Sequence, residues 1–264
     1  MRYPLLLAVA MLFSAPAYAA DDVNVPSASF DWSGPYAGAS TGFGWTSGEG
    51  KHYCYDDLGE YNGPFCQRMP DGTDDIAPAT GAMFGGQVGY NWQRDKLVIG
   101  AEADISAAAI AGSHTIDGPF PFVADGYPAA EPAGVYEPKS EIDWMGTVRA
   151  RVGLSVTDRM LLFATGGLAY ARVSASTFYT SPLTSTTYEG SDSGMQFGWT
   201  VGGGVEYAVS ERWSLKLEGL YYDLGAVDVV GTEAPLTFPP DGFEHNSKFQ
   251  MTGGIVRVGV NFHF

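Results

Sequence analysis

Gln250–Phe264, QMTGGIVRVGVNFHF, is the stretch whose reading decides the fold. Val256, Val258, Val260, Phe262 and Phe264 fall on one side, and Arg257, Gly259, Asn261 and His263 on the other. A repeat of two is the side-chain period of a strand, not of a helix. The segment stops on an aromatic residue with no polar tail behind it. Two architectures end this way: a soluble sandwich or lipocalin-like barrel, and an outer-membrane barrel whose closing strand pairs with its first. The segment alone does not separate them.

The other end of the chain narrows the choice. Arg2 is followed by the apolar run Leu5–Phe13 and by Ala17-Tyr18-Ala19-Ala20. This is the pattern of a cleaved secretory signal peptide over residues 1–20, too short for a spanning helix. No later run of about eighteen apolar residues follows, so a membrane-crossing mature chain has to cross as a closed barrel. The formal net charge of −16 argues against nucleic acid and anionic membrane surfaces as partners. Many of the 35 glycines lie within alternating runs, where they permit curvature and close backbone approach. Cys54 and Cys66 in an exported chain are expected to form a disulfide that staples a short loop, worth about 2–3 kcal/mol.

Working backwards from the closing strand, alternation recurs in seven further runs. They begin at the word Trp32–Tyr36 (to about Trp45) and continue at about Met83–Gln93, Leu97–Ala108, Ile142–Leu154, Met160–Val173, Gln196–Val209 and Trp213–Leu224. In the fifth strand Leu161-Leu162-Phe163 is apolar on both faces; Leu162, Leu168 and Tyr170 are assigned outside. Connections alternate in length. Arg94–Lys96, Ser155–Arg159 and Ser210–Arg212 are tight, whereas about 46–82, 109–141, 174–195 and 225–248 are long. Long external loops, short periplasmic turns and an even strand number are the topology of an outer-membrane protein. The predicted fold is therefore an all-β, eight-stranded antiparallel transmembrane up-and-down barrel spanning residues 21–264.

The hidden faces of these strands carry Glu102, Asp104, Arg149, Arg151, Glu206, Lys216, Glu218 and Arg257, four acids and four bases. An eight-stranded barrel has an interior just wide enough to be filled by side chains, so a charge-paired plug is expected. The functional rival is a very narrow ion path. Trp32, Tyr36 and Trp213 towards the periplasm, with Trp45 and Trp144 towards the outside, are expected to form aromatic girdles. The acidic loops offer weaker candidates. Asp71–Asp75 matches no complete calcium loop, and His52 (beside Tyr53 and Tyr55), His114 and His245 are candidate haem or cation ligands. No cofactor or structural metal is expected. No Gly-x-Ser-x-Gly elbow, His-Glu-x-x-His motif or phosphate-binding loop occurs, so no catalytic set is assigned, and a lipid-acting enzyme lacks a nucleophile to nominate.

Several words together carry a family resemblance. They are Trp32-Ser33-Gly34-Pro35-Tyr36-Ala37-Gly38, Gly86–Asn91, Gly100–Asp104, Asp143–Gly153, Ala164–Tyr170, Glu218–Gly225 and Arg257–Phe262. Over nearly the whole mature chain they resemble the small outer-membrane surface antigens and porin-like proteins of alphaproteobacteria, with an OmpA-like barrel. The resemblance implies an outer-membrane location, an immunogenic surface and, in some relatives, haemin binding or a porin label. Outer-membrane lipid and the barrel-assembly machinery are the implied partners, with host or extracellular ligands at the loops. Phe264 takes the place of the membrane-assembly signal of similar barrels.

Overall fold

Alternating Val, Phe, Trp and Tyr against Gly, Ser and charged residues leaves each strand one apolar and one polar face. A sheet closed on itself gives each face its own solvent. A computed structural model of the chain describes residues 29–55, 78–118, 122–124, 127–129, 134–181, 186–233 and 244–264. Eight long antiparallel strands form the wall: β1 Gly34–Thr46, β2 Thr80–Arg94, β3 Leu97–Ser113, β4 Gly134–Thr157, β5 Met160–Ser181, β6 Thr186–Ala208, β7 Trp213–Glu233 and β8 Glu244–His263. Each pairs with its sequence neighbour, and β1 pairs with β8 from Tyr36↔His263 to Thr46↔Gly253, which closes the ring. Short strands decorate one end: Gly50–Tyr55 adds to β8, Ile116–Gly118 to β4, and Phe122–Ala124 pairs with Tyr127–Ala129.

The other end is tied tightly. The turns after β2, β4 and β6 are linked by backbone hydrogen bonds from Ser155 to Lys96, from Ala208 to Arg159 and from His263 to Arg212. The N–H of Phe264 donates to Pro35, and that of Phe30 to Asp158. Both described termini therefore lie at the short-turn end.

The wall is turned inside out relative to a soluble barrel. Phe43 and Phe84 are 68% and 67% exposed, whereas Arg149 and Glu206 are 2% and 0% exposed. Leu162 and Leu168 on β5 point outward, as their assignment requires, with Leu161 and Phe163 buried. Among the described residues no helix is long and apolar enough to cross a membrane; strands do the crossing.

Two expectations need correction. Much of the four expected long loops is sheet: β3 runs on to Ser113, β4 starts at Gly134, β5 and β6 reach Ser181 and Thr186, and β7 and β8 reach Glu233 and Glu244. A strand of about 9–11 residues crosses a bilayer, and β5 has 22, so the wall rises well beyond the lipid. Above the lipid the apolar side switches inward. On β5 the outward apolar series ends at Tyr170, and the buried series Ala171, Val173, Ala175 and Tyr179 takes over. With Ile110, Tyr136, Ile142, Met145, Tyr222, Leu224, Val229, Phe249 and Met251 these form an apolar core inside the upper barrel.

The second correction concerns the girdle. Trp213 and Trp45 do face outward, and Trp144 packs against Tyr170 on the same side with ring centroids 6.0 Å apart. Trp32 and Tyr36, in contrast, are 0% and 2% exposed. Tyr36 shares the parity of Gly38 and Ser40, which puts its ring in the lumen. Trp32 belongs to the segment that folds beneath the barrel, where it packs with Phe30, Val98, Leu161 and Ala208.

Candidate functional site: the charged lumen

Register builds the site. Glu102 lies directly opposite Arg149, Glu206 opposite Lys216, and Glu218 opposite Arg257, all on lumen-facing positions. The Glu102–Arg149 and Glu218–Arg257 pairs meet across their neighbouring strands, whereas Lys216 turns from Glu206 to Glu102. Glycines leave the space for them. A Cβ on Gly89 would sit 2.3 Å from Cζ of Tyr36, so the Tyr36 ring lies flat over that backbone.

All eight charged residues singled out from the sequence lie in one continuous set of ion pairs. The Arg149 guanidinium holds Glu218 at 2.7 Å and Asp104 at 3.0 Å, and also bonds Glu102. Arg257 contacts Glu218 at 2.7 Å and Asp104 at 2.8 Å. Lys216 Nζ stands 2.8 and 2.9 Å from the two oxygens of Glu102. Arg151 pairs with Glu206 at 2.8 Å, lies 4.3 Å over the Phe163 ring centroid and donates to Tyr36 Oη at 2.9 Å. Neutral residues complete the shell. Tyr36 donates to Glu102 at 2.7 Å, Thr147 to Asp104 at 2.6 Å, and Ser214 and Asn261 to Glu206 at 2.6 and 2.7 Å.

Each carboxylate thus has at least one cationic partner and one further donor. That is the condition under which buried charge is tolerated, since an unpaired buried ion costs several kcal/mol. The arrangement binds its own charges to one another. It presents no unpaired carboxylate, nucleophile or general base to a substrate. Below it, Phe30 and Trp32 stack edge-on against His263 and against each other, with centroids 4.6–5.8 Å apart. Above it lies the apolar core. Three layers therefore follow one another along the axis: aromatic, ionic and mixed apolar.

Sequence reasoning missed the neutral shell, although parity was signal enough. Asn261 and His263 share the face of Arg257, and Gln87 and Asn91 the face of Gly89; only charge had been weighed. The other candidates stand apart from this site. His114 is exposed at the top of the wall. The side chains of His52, Tyr53, Tyr55 and His245, the Asp71–Asp75 run, the expected Cys54–Cys66 pairing and the expected leader over residues 1–20 lie outside the described residues. Among those described, no group of three or more His, Cys, Asp or Glu could hold a metal ion.

A closed ring of eight antiparallel strands, apolar without and ionic within, defines an outer-membrane β-barrel. Residues 5–264 match the outer membrane protein beta-barrel domain family, and the chain belongs to it. It is 34% identical over 278 residues to the 31 kDa outer-membrane immunogenic protein of Brucella melitensis biotype 1, with 100% of both chains covered. It is 33% identical over 147 residues to a 22 kDa outer membrane protein of Rhizobium leguminosarum bv. viciae, covering 55% of this chain and 54% of that protein. Among solved structures, OprG of Pseudomonas aeruginosa superposes with a TM-score of 0.46 at 13% identity, covering 88% of this chain and 97% of OprG. The protein is accordingly an outer-membrane barrel of a family of surface and immunogenic proteins.

Proposed function

We propose that the barrel is a non-conducting scaffold that carries a tall sheet to the cell surface. The single observation behind this reading is the ionic plug, in which eight charged side chains are buried and mutually paired across the lumen. A conducting path needs groups that can trade their partners for a passing ion, and weak multiple sites along it. Here each carboxylate already has a fixed cation, and the core above is largely apolar, with the hydroxyls of Tyr136 and Ser247 bonded to each other at 2.9 Å. The outer-membrane location of the relatives and the immunogenic label of the Brucella proteins support a surface role. Planar-bilayer recording of the refolded protein tests the reading. The expected trace is flat at either polarity; steady single-channel openings by the unaltered protein would replace the scaffold with a narrow porin.

A further inference from the structure

The outer side of the wall carries a concave polar surface that takes no part in the plug. Register lays it out in two rows across four strands. In the upper row Ser113 of β3 faces Lys139 of β4, Lys139 faces Ser176 of β5, and Ser176 faces Ser191 of β6. In the lower row Ala111, Glu141, Ser174 and Ser193 follow in the same order. Together with Asp192 they line an open groove of about 690 Å³. A second concavity shares Lys139, Ser176 and Ser191 and adds Phe178.

Its height is set by what lies beneath it. The same strands present Trp144, Tyr170 and Phe197 just below, the upper end of the lipid-facing belt. Between belt and groove stands the pair Arg172–Asp143, 3.6 Å apart with side chains 55% and 41% exposed. Aromatic residues and then charges in this order mark the membrane–water boundary. The groove therefore begins where lipid headgroups stand.

We infer that this groove docks the phosphorylated sugar headgroup of the glycolipid in the surrounding outer leaflet. Three features favour that occupant. The surface is continuous with the lipid-facing belt, so a lipid whose chains lie against Tyr170 and Phe197 carries its headgroup into the groove. Its floor is made of serines, whose short side chains let a sugar ring approach and whose hydroxyls both donate and accept. Lys139 and Arg172 supply the cations for phosphate, while Glu141 accepts from sugar hydroxyls. A protein partner would look for a buried aromatic or aliphatic anchor pocket, which this floor does not offer. Contacts that are weak singly suffice, because the lipid is already held beside the wall at high effective concentration.

Native mass spectrometry of the folded protein in detergent provides the test, with purified lipopolysaccharide as probe and phosphatidylglycerol as the anionic lipid without sugar. The unaltered protein should retain lipopolysaccharide in preference to phosphatidylglycerol. Lys139→Ala combined with Arg172→Ala removes the phosphate contacts, and Ser176→Trp fills the groove without touching charge. Each should lower retained lipopolysaccharide about tenfold, the scale of one or two charge-assisted hydrogen bonds, and leave phosphatidylglycerol unchanged. All three substituted positions are on the outer surface, and heat-modifiable gel migration checks that the variants are folded. Equal retention of the two lipids, or undiminished lipopolysaccharide on both variants, overturns the inference. Neither result depends on whether the lumen conducts.

Discussion

Arg149 touches three carboxylates at once, so its removal exposes the logic of the plug more sharply than any other single change. Arg149→Met leaves Glu102, Asp104 and Glu218 short of a cation in a site that water does not reach. A loss of about 3–5 kcal/mol is expected, the penalty of an uncompensated buried charge, read as a lowered urea midpoint of the folded barrel in detergent. Replacing Glu218 by Leu in the same chain should recover part of that loss, because three acids then face three bases again; no recovery would mean that the pair is not coupled. At Gly89 the constraint is steric. Gly89→Val pushes against the Tyr36 ring, which also holds Glu102 and Arg151, and should cost about 1–3 kcal/mol by the same measurement. An unchanged midpoint would show that the ring has room to move.

On β5 the alternation of inward and outward positions never slips through the stretch from Leu161 to Val173, yet the apolar series changes sides near Arg172. This explains what was and was not legible in the sequence. The lower half of each strand advertises itself through large outward residues, such as Val256, Val258 and Val260 on β8, and the strand number, order and closure followed from it. Ala171-Arg172-Val173-Ser174-Ala175-Ser176 reads as a Ser-rich loop only because lipid-facing residues are being sought; its inward Ala, Val and Ala are small and quiet. The lumen charges were legible because parity and composition agree. Tyr36 was misplaced because its position near a strand end was allowed to outweigh its parity. A pair of substitutions separates the two faces. Val173→Asp puts a carboxylate into the upper core and should cost about 3 kcal/mol or more, whereas Ser174→Asp, on the outer side one residue along, should stay within about 0.5 kcal/mol. Equal effects would mean that the upper barrel has no dry interior. At the end of β8, deletion of Phe264 removes the N–H bond to Pro35 and the ring that meets Phe262 at 5.1 Å. Closure of β8 on β1 should suffer, so that outer-membrane insertion, followed by cell fractionation, falls more than export does.

For the molecule as a whole, the three layers along the axis make leakage through the lumen a matter of breaking more than one seal. A variant that weakens only the ionic layer, such as Arg149→Met, should therefore remain electrically silent in a planar bilayer while losing stability; openings in that variant would show that the ionic layer alone holds the path shut. Protease added to intact cells should cut within the connection between β1 and β2, which leaves the wall at the end opposite the short turns, and full protection there would reverse the orientation. The height of the wall has a further consequence, for tolerance to substitution. Within the belt every outward position must satisfy lipid and every inward position a charge or a glycine-sized gap, so both faces are constrained. Above Arg172 the inward positions still answer to packing, but as far as folding goes the outward ones answer only to water. A substitution scan along β5 should show tolerance on neither face low down, then on alternate residues from Ser174 upward. Sequence drift can therefore accumulate on the strands themselves, and the outline that the cell shows to its surroundings can be repainted without being rebuilt.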